Sequence, residues 1–145
     1  MKRNIVIVDI DGTIAKVGDR LKYLKDKNPN WDLFYASCFD DEPIQEIIDL
    51  VDNLQQGYEI VFCTGRRESV REITEQWLSR NGLFGKVLMR PNGDKRHDVH
   101  VKPEQLKLSG IALEDISFVL EDRNSMVAKW RELGLKCLQV QEGDF

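Results

Sequence analysis

The chain has 145 residues, 32% of them charged and 41% hydrophobic, with a formal net charge of −4 and a pI near 5.3. That length suits one domain with a sizeable core. The acidic balance excludes a surface built to wrap long nucleic acid, which needs many Lys and Arg on phosphates. It leaves room for gripping a nucleotide or a strand end with a few local cations.

Met1-Lys2-Arg3 leads into Ile5-Val6-Ile7-Val8, an apolar run soon stopped by Asp9. It is too short for a signal peptide and reads as a buried parallel strand from Asn4 to Asp9. Asp9-Ile10-Asp11-Gly12-Thr13 follows, so two carboxylates stand where a strand ends and a glycine turn begins. In open α/β sheets that carboxyl end is where ligands bind. An Asp-rich strand-to-loop turn without function reads the same way when taken alone. Ile14 to Arg20 is turn-rich, and Arg20 to Lys27 is expected as a short basic helix. Trp31, Phe34 and Tyr35 form an aromatic cluster behind Asn30, a helix cap. These rings either pack a small core or stack a base. Residues 16–42 are the least regular part and are expected to form a small flap over the first strand's end.

Pro43 is expected to open a helix with Ile44, Ile47, Ile48, Val51 and Leu54 on one face, ended by Gly57. Tyr58 to Cys63 reads as the second strand, with Thr64-Gly65-Arg66 directly after it. A helix is expected from Ser69 to Arg80, then a short strand from Lys86 to Met89. The polar stretch Arg90 to His100 precedes Lys102 and a short helix from Pro103 to Leu108. His97 and His100 have no ligand spacing and read as solvated. Ile116 to Leu120 is a further buried strand ending in Glu121-Asp122-Arg123. A helix from Asn124 to Leu133 and a last strand from Lys136 to Val140 complete the chain. This alternation predicts an α/β fold, a doubly wound, mostly parallel sheet with helices on both faces.

Cys38, Cys63 and Cys137 are odd in number and lack zinc spacing, so free thiols in a reducing cytoplasm are expected. No apolar stretch has membrane-spanning length. Three strands end in reactive groups: Asp9 and Asp11, Thr64 and Arg66, Glu121 and Asp122. If those strands are neighbours, the acids gather in one crevice suited to a hard cation such as Mg²⁺. Thr64, Lys102 and backbone N–H groups are then available to a phosphate. Read singly, Thr64 serves equally as a helix cap, Lys102 as a loop lysine, Glu121-Asp122 as an acidic helix start, and Arg66 and Arg90 as surface ion pairs.

Taken together, the four stretches resemble the four motifs of the haloacid dehalogenase superfamily of phosphohydrolases: Asp9 to Thr13, Thr64, Lys102 and Glu121-Asp122. Nearly the whole chain is most similar to the 3′-phosphatase domains of bacteriophage polynucleotide kinase. That likeness includes Thr64-Gly65-Arg66, Arg90, Gly93-Asp94, Asp122-Arg123 and Gly143-Asp144-Phe145. No Gly-x-x-x-x-Gly-Lys-Ser/Thr occurs, so the kinase half is expected to be absent. The resemblance implies a single phosphatase domain over residues 1–145 with a minimal cap. It implies Asp9 as nucleophile, Asp11 as acid and then base, and Thr64 and Lys102 as phosphate-facing catalytic groups. Gly65, Arg66 and Arg90 are implied as phosphate or substrate contacts. Mg²⁺ would be held by Asp9, the Asp11 carbonyl and Asp122, with Glu121 ranked behind Asp122 because of its extra methylene. The implied substrate is a 3′-phosphate on a nucleic-acid end or nucleotide. A 5′-mononucleotide or other small ester is the alternative, and a non-catalytic phosphate-binding module the next. Arg20, Lys22, Lys25, Arg90, Lys95 and Arg96 are expected at the mouth. The phage domain assembles with its own copies, which allows a homodimer; a phage-encoded chain would work in the cytoplasm of its bacterial host.

Overall fold

The computed structural model describes residues 2–25 and 27–145. Expectations touching Met1 and Asp26, at the chain start and in the basic helix, lie outside the described residues. Five parallel strands form one sheet: β1 (Ile5–Val8), β2 (Glu59–Arg67), β3 (Lys86–Arg90), β4 (Ile116–Arg123) and β5 (Cys137–Gly143), in the order β3-β2-β1-β4-β5. β1 is central, and all four of its residues are buried. Its side chains alternate between two cores, as a period of two requires. Val6 and Val8 pack with Ile48, Val51, Trp77 and Leu78 from α2 (Gln45–Leu54) and α3 (Arg71–Arg80). Ile5 and Ile7 pack with Leu106, Met126, Val127 and Trp130 from α4 (Asp98–Leu108) and α5 (Asn124–Glu132). Each fully buried aliphatic side chain contributes about 1.5–3 kcal/mol. The doubly wound sheet is therefore held from both faces, and the three central strands point their carboxyl ends the same way.

Several boundaries differ from the sequence expectation, each for a local reason. β2 runs on through Thr64-Gly65-Arg66 because Arg67 pairs with Arg90 of β3 after an irregularity. β4 and β5 likewise extend to the Arg123–Gly143 pair, so Gln141 to Gly143 is strand rather than tail. Pro43 does not open α2. It bridges Ala15, the Ile44 amide donates to the Ile14 carbonyl (2.8 Å), and the helix starts at Gln45. α4 begins at Asp98, capped by His97 Nδ1, with Pro103 inside it. Lys102 thus lies within the helix, not before it. The expected basic helix is a 3-10 segment, Gly18–Leu24. The aromatic cluster sits on a short helix, α1 (Trp31–Ala36), where Asn30 accepts from the Leu33 amide at 3.1 Å. Among the described residues no helix is long and apolar enough to cross a membrane.

Candidate active site

β1 delivers Asp9, and a tight turn follows. The Thr13, Ile14 and Ala15 amides all point at the Ile10 carbonyl, and Gly12 takes a φ of 84° that favours glycine. A Cβ on Gly12 would lie 2.0 Å from Oδ2 of Asp122, so the turn and the end of β4 are in close approach. Thr13, fully buried, donates its hydroxyl to Oδ2 of Asp9 at 3.0 Å; Oδ1 of Asp122 lies 3.4 Å from it. α4 brings Lys102, buried, whose Nζ donates to Oδ1 of Asp9 (2.8 Å) and to Oε2 of Glu121 (3.0 Å). Burial alone would lower the lysine's pKa, but Asp9 and Glu121 raise it well above the ordinary value. It is a fixed cation.

Asp9, Glu121 and Asp122 each offer an oxygen, all within 4.8 Å of one another. Burial and the nearby Asp9 push the Asp122 carboxyl up to about 8. Three carboxylates share one ammonium there, and a divalent cation with oxygen ligands is the group that relieves such crowding. The donor set fits a hard metal ion. Glu121 is the most committed of the three: Oε2 also accepts from Trp130 Nε1 (3.3 Å), and Oε1 faces the Asp122 amide (3.3 Å).

Asp11 turns away from this cluster. Its Oδ1 accepts from Arg20 and Arg66 Nη2, both at 2.7 Å, and its Oδ2 accepts from Arg66 Nε at 3.1 Å. Burial pushes the Asp11 carboxyl up, but the charges and hydrogen bonds of Arg66 and Arg20 outweigh it and hold it at about 2. The same arginines grip Asp41: Arg20 at 2.8 and 2.7 Å, Arg66 at 3.3 Å.

Thr64 is buried, and its Oγ1 accepts from the Arg66 amide at 3.1 Å, leaving the hydroxyl proton able to donate into the cleft it lines. The Gly65 carbonyl accepts from Arg90 Nε (2.9 Å) and the Tyr35 hydroxyl (3.3 Å). A Cβ on Gly65 would meet Oδ1 of Asp98 at 2.5 Å.

Two expectations need correction. The Arg66 side chain, expected on the phosphate, is wholly buried, does not line the cleft, and spends its guanidinium on Asp11, Asp41 and Thr74. Arg90 does line the cleft, yet its donors go to Gly65, Asp94, Arg96 and Asp98. At most one of a guanidinium's five N–H groups remains for a ligand. The mouth cations also sort differently. Arg20 is buried, Lys22 and Lys25 lie off the cleft, and Lys95 and Arg96 line it.

Asp41 and Asp98 are not singled out by the sequence, and Arg20, expected at the mouth, is buried. Asp98 accepts from Arg90, and Arg123 reaches it at 3.3 Å. Its signal was the spacing of four before Lys102, which shares a helix face, hidden by the assumption that Pro103 starts the helix. Asp41 sits in the acidic run before Pro43, which carries no such signal.

The groups converge on one cleft of about 1360 Å³, lined among others by Asp9, Thr64, Lys102 and Asp122. A parallel sheet with an aspartate at the end of its central strand, a lysine on it from a following helix and paired acids on the next strand defines a phosphatase of the haloacid dehalogenase type. A hydrolase of that superfamily from Streptococcus pneumoniae shares the fold, with a TM-score of 0.69 at 16% identity over 94% of this chain and 84% of that one. The chain belongs to the polynucleotide kinase PNKP phosphatase domain family, whose model matches residues 3–145. It is similar to a chain in a Pnkp1/Rnl/Hen1 complex (32% identity, 99% of this chain, 48% of that one, TM-score 0.83). A Pnkp1/Rnl/Hen1 RNA repair complex gives 32%, 99%, 44% and 0.84. The chain thus spans about half the length of these relatives.

Proposed function

We propose that the chain removes a phosphate from the 3′ end of a nucleic-acid strand through an aspartyl-phosphate on Asp9. The observation that carries this is Asp9 itself: buried, at the end of the central strand, with Lys102 on one oxygen and Thr13 on the other. In the first step an Asp9 oxygen forms a bond to phosphorus while the bond from phosphorus to the sugar oxygen breaks. The leaving oxygen takes a proton from Asp11. In the second step water attacks the acyl phosphate, gives a proton to Asp11, and frees Asp9 and inorganic phosphate. Splitting one difficult displacement into two is the gain from a covalent intermediate. Lys102 offsets negative charge throughout, and Thr64 donates to a phosphoryl oxygen. Asp9, Asp122 and the Asp11 carbonyl would hold Mg²⁺, with Glu121 acting on Lys102 or through water. When bound, the ion supplies charge stabilisation on the phosphoryl oxygens. Asp11 can act as the acid only after loosening from Arg20 and Arg66, since in their grip it stays ionised.

The strand-end assignment is supported by family membership and by the cleft, which exceeds the ~300–1,000 Å³ of ordinary small-ligand pockets. The relatives in an RNA repair complex make a 3′-phosphorylated RNA end the first substrate to try, beside its DNA counterpart. Residues 16–42 are proposed as the cap, since the segment supplies Val17, Leu21, Trp31 and Tyr35 to the cleft wall. A cytoplasmic site of action is proposed because Cys38, Cys63 and Cys137 are buried free thiols. Homodimer formation is checked in the same preparation by sedimentation.

The test is a matched panel: 3′- and 5′-phosphorylated oligonucleotides, 3′- and 5′-mononucleotides, and para-nitrophenyl phosphate, each with and without Mg²⁺. Fastest turnover of the 3′-phosphorylated strands is expected, with none from Asp9→Asn. A preference for 5′-mononucleotides overturns the substrate assignment, and no Mg²⁺-dependent turnover of any ester overturns the enzyme.

A further inference from the structure

The proposed phosphate chemistry leaves an aromatic array on the cleft wall unexplained. Trp31 remains 43% exposed, an unusual state for so large an apolar ring. It lines the same cleft as Asp9 and Thr64. Its ring stacks on Tyr35 (5.9 Å between centroids, 26° between planes) and meets Phe34 edge-on at 5.5 Å. Phe34 is buried beneath the Arg20 guanidinium, 4.4 Å from its ring centre. The Tyr35 hydroxyl is tied to the carbonyl of Gly65, directly after Thr64. The array is thus tied through Phe34 to the Arg20 network and through Tyr35 to the segment expected to face the phosphate.

Two cations accompany it. Arg67 sits 5.8 Å from the Tyr35 ring centre and lines the cleft while pairing with the exposed Asp32. Lys95 also lines the cleft and has no ion pair among the described residues. Of the amides on the cleft wall, Asn30 Oδ1 accepts from the Leu33 amide at 3.1 Å and Gln141 Nε2 donates to the Gly12 carbonyl at 2.9 Å, while Asn28 also lines the cleft. A flat aromatic face beside cations suits the face of a base.

We infer that Trp31 is a stacking platform for the terminal nucleobase of the phosphorylated strand. This rests on the strand-end proposal above. Stacking on an aromatic side chain corresponds to roughly a 5- to 150-fold effect per base.

The experiment compares two 3′-phosphorylated oligonucleotides, one ending in a normal nucleotide and one in an abasic sugar. The wild-type chain is expected to favour the base-bearing end in kcat/KM by a factor in that range. Trp31→Ala should collapse the ratio towards one, and Trp31→Phe should keep most of it. General damage lowers both rates and leaves the ratio alone. If the ratio is near one in the wild type, or unchanged in Trp31→Ala, the platform is refuted while the strand-end proposal survives. If small esters are cleaved but neither oligonucleotide is, the strand-end proposal falls and takes the platform with it. A binding readout is independent of turnover. Trp77 and Trp130 are fully buried, so tryptophan quenching on binding to Asp9→Asn should come from Trp31 and vanish in Asp9→Asn with Trp31→Phe. Equal quenching in both overturns the inference.

Discussion

Replacing Arg20 by alanine removes a guanidinium that makes four hydrogen bonds: two to Asp41, one to Asp11 and one to the Phe34 carbonyl. Asp41 is left with a side chain 4% exposed and a single contact from Arg66 at 3.3 Å. Hydrogen bonds to charged groups contribute about 1.5–3 kcal/mol each, but they do not sum here, because Arg66 and entering water recover part of the loss. Removing one partner of a buried ion pair costs about 3–5 kcal/mol, and we take that range. It is a large share of the roughly 5–15 kcal/mol that holds a domain together. At roughly 3 °C per kcal/mol for a chain of this size, Tm should fall by about 9–15 °C. The deficit should also depend on pH. Burial already raises the Asp41 carboxyl above its ordinary value with Arg20 present, and without Arg20 it rises further. A folded pKa above the unfolded one contributes stability below the unfolded value, lost as pH climbs through the folded value. Urea melts should therefore show a larger deficit at pH 8 than at pH 5. Arg20→Lys should not rescue, since one ammonium cannot span both Asp41 oxygens and Asp11. A loss under about 1 kcal/mol, the scale of a surface pair, would refute the buried network.

Three further outcomes are expected. Gly12→Ala puts a Cβ 2.0 Å from Oδ2 of Asp122 at a φ of 84°; activity should fall steeply while Tm falls by only several degrees, and a variant with near-normal kcat contradicts the close approach. Mg²⁺ should raise the Tm of the wild type, by an amount equivalent to about 2.7 kcal/mol at a hundred times its Kd, and Asp122→Asn should abolish the rise. Asp98 is pushed up by burial but pulled lower on balance by Lys102, Arg90 and Arg123. Its contribution is therefore complete above the unfolded pKa of about 3.9 and is lost as pH falls through the depressed folded value. The deficit of Asp98→Asn in urea melts should shrink on acidification below pH 4; a constant deficit would mean that Asp98 is not held charged.

What the sequence disclosed follows from how locally each feature is encoded. Ile5 to Val8 and Val61 to Cys63 are buried on both faces, so their unbroken apolar runs announced strands. The strand ends place Asp9, Thr64 and Asp122 together once the strands are neighbours, which the order β2-β1-β4 supplies. Lys102 was found by its order in the chain, although Pro103 hid the helix that carries it. The arginines were misread because an ion pair leaves no local pattern. Arg66 and Asp11 are 55 residues apart, Arg20 and Asp41 21 apart. Nothing in either neighbourhood says that the charge faces inward. A buried arginine needs enough carboxylates around it, and that balance exists only in three dimensions.

The same balance explains why two aspartates two positions apart are so unlike. Asp9 faces one lysine and two further acids, surroundings short of positive charge. Asp11 faces two arginines and is held at about 2. Directly after Asp11, Gly12 takes its left-handed φ and lies against the Asp122 carboxyl. Arg20 ties the cleft wall to Asp11. It is carried by the 3-10 segment whose Gly18, Leu21 and Leu24 line the cleft, yet its guanidinium ends on Asp11 and supports Phe34. The direction of the coupling is set: withdrawal of Arg20 would raise the Asp11 pKa towards the protonated state that its proposed role as acid needs.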